Sequence, residues 1–129
     1  MAMNMQQERY LYNTVQQASP AQLLLMLYDG AIRFSKLAIK DIQNKELEQA
    51  NIHLGKAQDI IRELMITLNM DYPVSEGLYM LYDYFIHLMI EANVKKSEEP
   101  IEEVLTYLTD LKETWMQVVK QQMQQPTAR

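Results

Sequence analysis

The chain reads as an all-α protein: an antiparallel up-down four-helix bundle with a short N-terminal arm or helix. Its 129 residues contain only three glycines and four prolines, too few for a turn-rich β fold. Four long stretches repeat apolar residues at three- and four-residue spacing, the period of a helix with one buried face. The connections between them are short, which makes successive helices antiparallel neighbours. The length suits one domain. The expected division is a mobile arm over residues 1–18, a bundle over 19–122 and a frayed tail over 123–129.

The arm is rich in Met and Gln but carries Tyr10, Leu11, Tyr12 and Val15, more apolar bulk than a permanently solvated tail holds. The first helix is predicted from Pro20 to Gln43. Ser19 is a natural N-cap, Pro20 suits the first helical position because its missing N–H is not needed there, and Gln22 completes a capping box. Wound at 100° per residue, the helix gathers Gln22, Asp29, Arg33, Lys36 and Lys40 on one stripe, and apolar side chains take most of the remainder. Gly30 in its interior costs about 1 kcal/mol relative to Ala and marks a close helix–helix approach.

The second helix is predicted from Lys45 to Asn69. Leu47, Ala50, Leu54, Ala57, Ile61, Leu64, Met65 and Leu68 form its apolar stripe. Ile52 and Ile66 sit on the opposite, polar side. Asn69 to Val74 reads as a loop, with Pro73 stopping the helix and Ser75 capping the third, over residues 75–94. From Leu78 to Ile90 that helix is apolar or aromatic at every position but Asp83 and His87, whereas a core-facing bundle helix needs roughly three in seven. The last loop spans Asn93 to Glu99. The fourth helix runs from Pro100 to Gln122 on a stripe of Ile101, Val104, Leu105, Leu108, Leu111, Trp115 and Val118.

Composition narrows the function. The net charge is −5 and no basic stripe of the kind that grips nucleic acid is present. Leu78 to Ile90 is too short and too charged to span a bilayer, and residues 1–8 lack the apolar core of a secretory signal. Without cysteine there is neither thiolate chemistry nor a Cys-ligated metal. Asp83, His87 and Glu91 share one face of the third helix, a spacing that suits a metal or an acid–base pair but equally a solvated stripe on an apolar helix. No Glu-x-x-His pair marks a di-iron bundle, His53 has no ligand-type neighbour four residues away, and the isolated glycines form no phosphate loop. No catalytic set, cofactor or metal site is expected.

What remains is surplus apolar surface on the first and third helices. Tyr79, Tyr82 and Tyr84 point in different directions and cannot all face one core. Ten methionines suit either plain core filling or a surface that adapts to irregular partners. Surplus of this kind either takes a partner helix in a groove or buries itself against further copies of the chain as a structural homo-oligomer. The groove candidates are Leu24, Leu27, Tyr28, Ile32, Ile52, Ile66, Tyr79, Tyr82, Phe85 and Ile86.

Several segments resemble a known family. Tyr10-x-x-Asn13-x-Val15, Ala18-Ser19-Pro20 and Leu25-Met26-Leu27-Tyr28-Asp29-Gly30-Ala31 come first. Lys56-Ala57-Gln58-x-Ile60-Ile61, Leu81-Tyr82-Asp83-Tyr84, Glu91-Ala92-Asn93 and Leu111-Lys112-x-x-Trp115 follow. In order and spacing, over about residues 10–119, the chain resembles the bacterial flagellin-specific export chaperones, the FliS family. The resemblance implies a cytoplasmic, non-enzymatic four-helix bundle. It would bind the disordered C-terminal segment of flagellin, block premature filament assembly and deliver the subunit to the membrane export gate of the flagellar type III apparatus. It also implies an arm that covers part of the groove until flagellin displaces it, with Tyr10, Asn13 and Val15 as arm or gate contacts; Tyr12 aligns as an alternative to Tyr10. The protein is expected to be a monomer or a weak dimer. One departure stands out: where the family often carries basic residues after Tyr-Asp-Tyr, this chain has Phe85-Ile86-His87.

Overall fold

A computed structural model describes residues 19–124, together with Gln6 and Arg9; most of the expected arm and most of the expected tail lie outside the described residues. Among the described residues there are four long helices and no strand: α1 Pro20–Gln43, α2 Leu47–Thr67, α3 Pro73–Lys95 and α4 Glu99–Gln124. They form a ring in which α1 packs on α2, α2 on α3, α3 on α4 and α4 back on α1. As α1 advances from Gly30 to Asp41, its partner on α2 recedes from Ile60 to His53, so the pair is antiparallel.

The start of α1 is the predicted capping box. The Ser19 hydroxyl accepts from the Gln22 N–H at 3.2 Å, and the Gln22 side chain accepts from the Ser19 N–H at 3.0 Å. The start of α3 differs from expectation. Pro73 does not hold the helix off; it occupies the first turn, where a residue without an N–H is tolerated. Ser75 lies inside the helix, buried, and its hydroxyl donates to the Asn69 carbonyl at 2.6 Å, tying the loop to the helix. The second helix begins at Leu47 rather than Lys45, because Lys45 adopts a left-handed conformation with φ 59° and breaks the helical run. Lys96, with φ 49°, ends α3 in the same way.

The core contains Leu54, Ile61, Leu64, Met89, Ile101, Val104 and Leu108, with Tyr28, Tyr82 and Phe85 as its bulkiest members. Small residues set its tightest seam. Ala31 and Ala38 on α1 and Ala50 and Ala57 on α2 are wholly buried and recur every seven residues, which lets two helices approach along one stripe. At Gly30 an added Cβ would lie 3.0 Å from Ile60 Cδ1, the close approach its position predicted. The α1–α2 contact is accordingly the most extensive in the bundle. Across it, His53 Nδ1 lies 2.5 Å from a buried Asp41 carboxylate oxygen, a partner twelve residues away that helical spacing within α2 does not show.

Candidate functional site

Burial sorts the ten groove candidates into three groups. Tyr28, Tyr82 and Phe85 are wholly inside, and Ile86 is nearly so; these four are core residues, which corrects their placement on a surface. They lie on the inward faces of α1 and α3, where their volume fills the bundle interior. Leu24, Leu27 and Ile32 are half-buried against that core. Ile52 at 47 % exposure, Ile66 at 75 % and Tyr79 at 46 % stand outside. Tyr10, Asn13 and Val15 lie outside the described residues.

The corrected tyrosines make a polar contact inside an apolar core. The Tyr28 and Tyr82 hydroxyls are hydrogen-bonded to each other, and their rings sit 6.4 Å apart in a tilted pair. Burial raises the pKa of both phenols; for Tyr82, the neighbouring Tyr28 charge and their shared hydrogen bond push the same way. The Trp115 indole N–H beside Tyr28 works against that rise, and among the described residues it has no hydrogen-bond partner.

The exposed apolar residues concentrate on α3 and its two flanks. Asn93 donates to Asn51 at 2.7 Å, which fixes the side of α2 that meets α3. Gly55 is one turn on from Asn51 and therefore on that same side. A Cβ built on Gly55 meets nothing within 4 Å, so no packing among the described residues requires a glycine there. Leu47, Glu48, Asn51, Ile52 and Lys96 line an open cleft at one end of this α2–α3 surface. Ile90 and Val94 of α3, the latter 78 % exposed, extend the apolar character alongside, and Ile66 stands at the other end of α2. On the α4 flank, Tyr84 donates to Glu103, and Phe85 lies 5.5 Å from the exposed Tyr107 ring. The carboxylate acceptor raises the pKa of the Tyr84 phenol.

Ile90, Val94, Met80 and Tyr107 were not among the sequence candidates. For Met80 and Ile90 the signal was the length of the apolar run on α3, which exceeds what one inward face can absorb; Val94 lies beyond that run and Tyr107 on α4, off its predicted stripe. Gly55 had a signal too: an interior helical glycine without a structural need.

The acidic stripe on α3 divides its contacts locally. His87 Nδ1 lies 2.8 Å from the Asp83 carbonyl oxygen, and Glu91 is 4.0 Å from Lys95. Among the described residues, no group of three His, Cys, Asp or Glu side chains is arranged to hold a metal ion, and no helix is long and apolar enough to cross a membrane.

The family model described as "Flagellar protein FliS" matches residues 2–122. The chain belongs to the FliS family. It is 39 % identical over 111 residues to the flagellar secretion chaperone FliS of Bacillus subtilis strain 168, covering 86 % of this chain and 84 % of that protein. Against the flagellar secretion chaperone FliS of Campylobacter jejuni it is 32 % identical over 120 residues, covering 92 % and 94 %. A solved structure described as "Crystal structure of flagellar chaperone from bacteria" superposes with a TM-score of 0.75 at 21 % identity over 88 % of this chain and 94 % of that one, which confirms the four-helix fold. FliS proteins are named as secretion chaperones and form a non-enzymatic family. The apolar surface around α3 is thus the surface of a chaperone-family bundle.

Proposed function

We propose that this FliS-family protein is a cytoplasmic export chaperone for flagellin. It captures the C-terminal segment of flagellin on the apolar α2–α3 surface, prevents premature filament assembly and delivers the subunit to the flagellar type III export gate. The observation that carries the reading is the open α2–α3 surface at Gly55, bordered by Ile52 and Ile66 on α2 and by Tyr79, Ile90 and Val94 on α3. A missing side chain lets a partner backbone or a large partner side chain seat deeply between two helices. A disordered client gives up ordering entropy on binding and needs a long apolar contact to recover it; the spread from Ile52 to Ile66 along α2 suits that demand.

Residues 1–18 act in this reading as an intramolecular competitor for the same surface, displaced when the client arrives. Tyr10, Asn13 and Val15 either hold the arm in place or contact the export gate. The test is calorimetric titration of the purified full-length chain with a flagellin C-terminal peptide, combined with hydrogen exchange. Near-stoichiometric binding with protection centred on α2 and α3 supports the proposal. Absence of heat together with unchanged exchange refutes it. Removing residues 1–18 is expected to change the peptide's on-rate, and unchanged kinetics would mean that the arm does not occupy the groove.

A further inference from the structure

The outward stripe of α1 carries Arg33, Lys36 and Lys40, all exposed. Spacings of three and four place them on one helix face, and seven residues at 1.5 Å per residue spread them over about 10 Å. A fourth cation joins from α2. The Arg33 guanidinium lies 4.6 Å and the Lys56 ammonium 5.4 Å from the centroid of the Phe34 ring. That ring stacks at 5.9 Å on His53, which is itself buried against Asp41. Phe34 therefore acts as a fixed post that orients two cations from different helices.

Within the described residues these charges are not neutralised. Among the described residues, Arg62, Lys95 and Lys112 have carboxylate partners and Lys96 bonds to Asn93, whereas the side chains of Arg33, Lys36, Lys40 and Lys56 have neither an ion pair nor a hydrogen bond; Lys45 and Lys120 are unpaired too, but Lys45 lies in the loop after α1 and Lys120 on α4. The acids of α1 are already committed: Asp29 to Lys112 at 2.5 Å, and Asp41 to His53. On neighbouring α4, Glu102, Asp110 and Glu113 are exposed, yet none comes within 4 Å of these cations. In a chain of net charge −5, an unpaired positive face two helical turns long is a segregated charge rather than the general surface mixture.

We propose that the α1 face formed by Arg33, Lys36, Lys40 and Lys56 docks an acidic protein segment. The segment carries carboxylates at intervals of three or four residues, matching the α1 stripe in length and spacing. Arg33, Lys36 and Lys40 lie on α1, diagonally across the ring from α3, and Lys56 turns from α2 toward Phe34 of α1, so the stripe can be occupied while α3 holds a client. Each exposed pair is weak alone, so the contact acts mainly by steering and orienting the partner, and it fades with salt over a Debye length of about 10 Å at 0.1 M.

The experiment uses the full-length chain and a fluorescein-labelled Glu/Ala peptide of about twelve residues with glutamates three and four positions apart. Anisotropy is expected to report binding at low ionic strength that weakens at least ~10-fold when salt is raised severalfold. Amide shifts should centre on residues 33–40 and on Lys56. Lys36→Glu with Lys40→Glu should lower affinity at least ~10-fold, while Lys120→Glu, an exposed cation elsewhere, changes it less than ~2-fold; circular dichroism checks that each variant remains folded. An equal loss in Lys120→Glu would overturn the proposal in favour of a diffuse field. Phosphatidylglycerol vesicles binding where the peptide does not would overturn it in favour of a membrane surface. A salt-sensitive dimer abolished by the double variant, with no peptide binding, would overturn it in favour of a second copy.

Discussion

The Tyr28 and Tyr82 hydroxyls meet across the diagonal of the bundle and join α1 to α3, two helices that are not ring neighbours. Both side chains are wholly buried or nearly so, and the two hydroxyls share one hydrogen bond in surroundings that are apolar apart from the Trp115 indole N–H. A satisfied polar pair in a core adds modest net stability but is expensive to break, because the survivor keeps its desolvation cost. The pair also fixes the rotation of α1 relative to α3, since only one facing brings both hydroxyls together.

Tyr82→Phe is expected to destabilise the protein by about 1–2 kcal/mol by leaving the Tyr28 hydroxyl without its buried partner. Tyr28→Phe should do the same, and the double variant should lose less than the sum of the two singles, because the second change removes the stranded group. Urea unfolding of all four proteins measures the coupling. Strict additivity would show that the two hydroxyls do not depend on each other.

Stability is expected to fall as pH rises past about 10, the ordinary tyrosine value. Both core phenols have pKa values raised in the folded state. Their contribution is therefore intact below pH 10. Above it the unfolded chain releases protons that the folded chain retains, so each such group withdraws up to about 1.4 kcal/mol per pH unit until its folded value is reached. Urea midpoints measured from pH 8 to 11 should be flat at first and then decline, and Tyr82→Phe should make the decline shallower. A slope unchanged in Tyr82→Phe would locate the alkaline sensitivity elsewhere.

Gly55→Ala is expected to stabilise the isolated protein by about 1 kcal/mol, since it relieves the backbone entropy of an interior helical glycine and its methyl meets nothing within 4 Å. Gly30→Ala should gain less, because its methyl would press on Ile60 Cδ1 at 3.0 Å. Thermal melts compare the two. Gly55→Leu should then weaken flagellin-peptide binding while leaving the fold intact, which separates a groove role from a structural one.

Ile66→Asp should leave unfolding within about 0.5 kcal/mol of the parent, because Ile66 is 75 % exposed and surface changes of this kind move stability little; Tyr79→Ser, at a side chain 46 % exposed, should cost about 1 kcal/mol through the packing of its buried half. Both should raise the dissociation constant of a flagellin C-terminal peptide by at least ~10-fold if they anchor it. Parent-like affinity in both variants would move the client surface to the α3–α4 side, around Tyr84 and Tyr107.

The fold was legible wherever a signal was local. Ser19 and Gln22 announced the first helix, Gly30 its close approach, and the spacing of Leu54, Ile61 and Leu64 the inward face of the second. The boundary at Pro73 was misread because proline stops one helix and opens another with equal ease, and only the buried Ser75 contact with Asn69 decides between them. The site was half legible. Surplus on the third helix was visible in its long apolar run, but one sequence cannot rotate a helix that is apolar nearly all round. Tyr82 and Tyr84 are two residues apart and chemically identical, yet one is core and the other is solvent-facing. The Asp41–His53 pair was invisible because its members meet only through packing.

The ring order of the helices carries a kinetic consequence. Three of the four seams join segments that follow one another in the chain, so they close small loops and form early. The last seam, α4 against α1, joins the two ends of the bundle and is marked by Lys112 on Asp29. Closing it demands the largest loop in the molecule, so it is the step expected to limit folding. A nascent chain completes three helices before the fourth can seal them, and it shields its aromatic interior only once Trp115 has arrived.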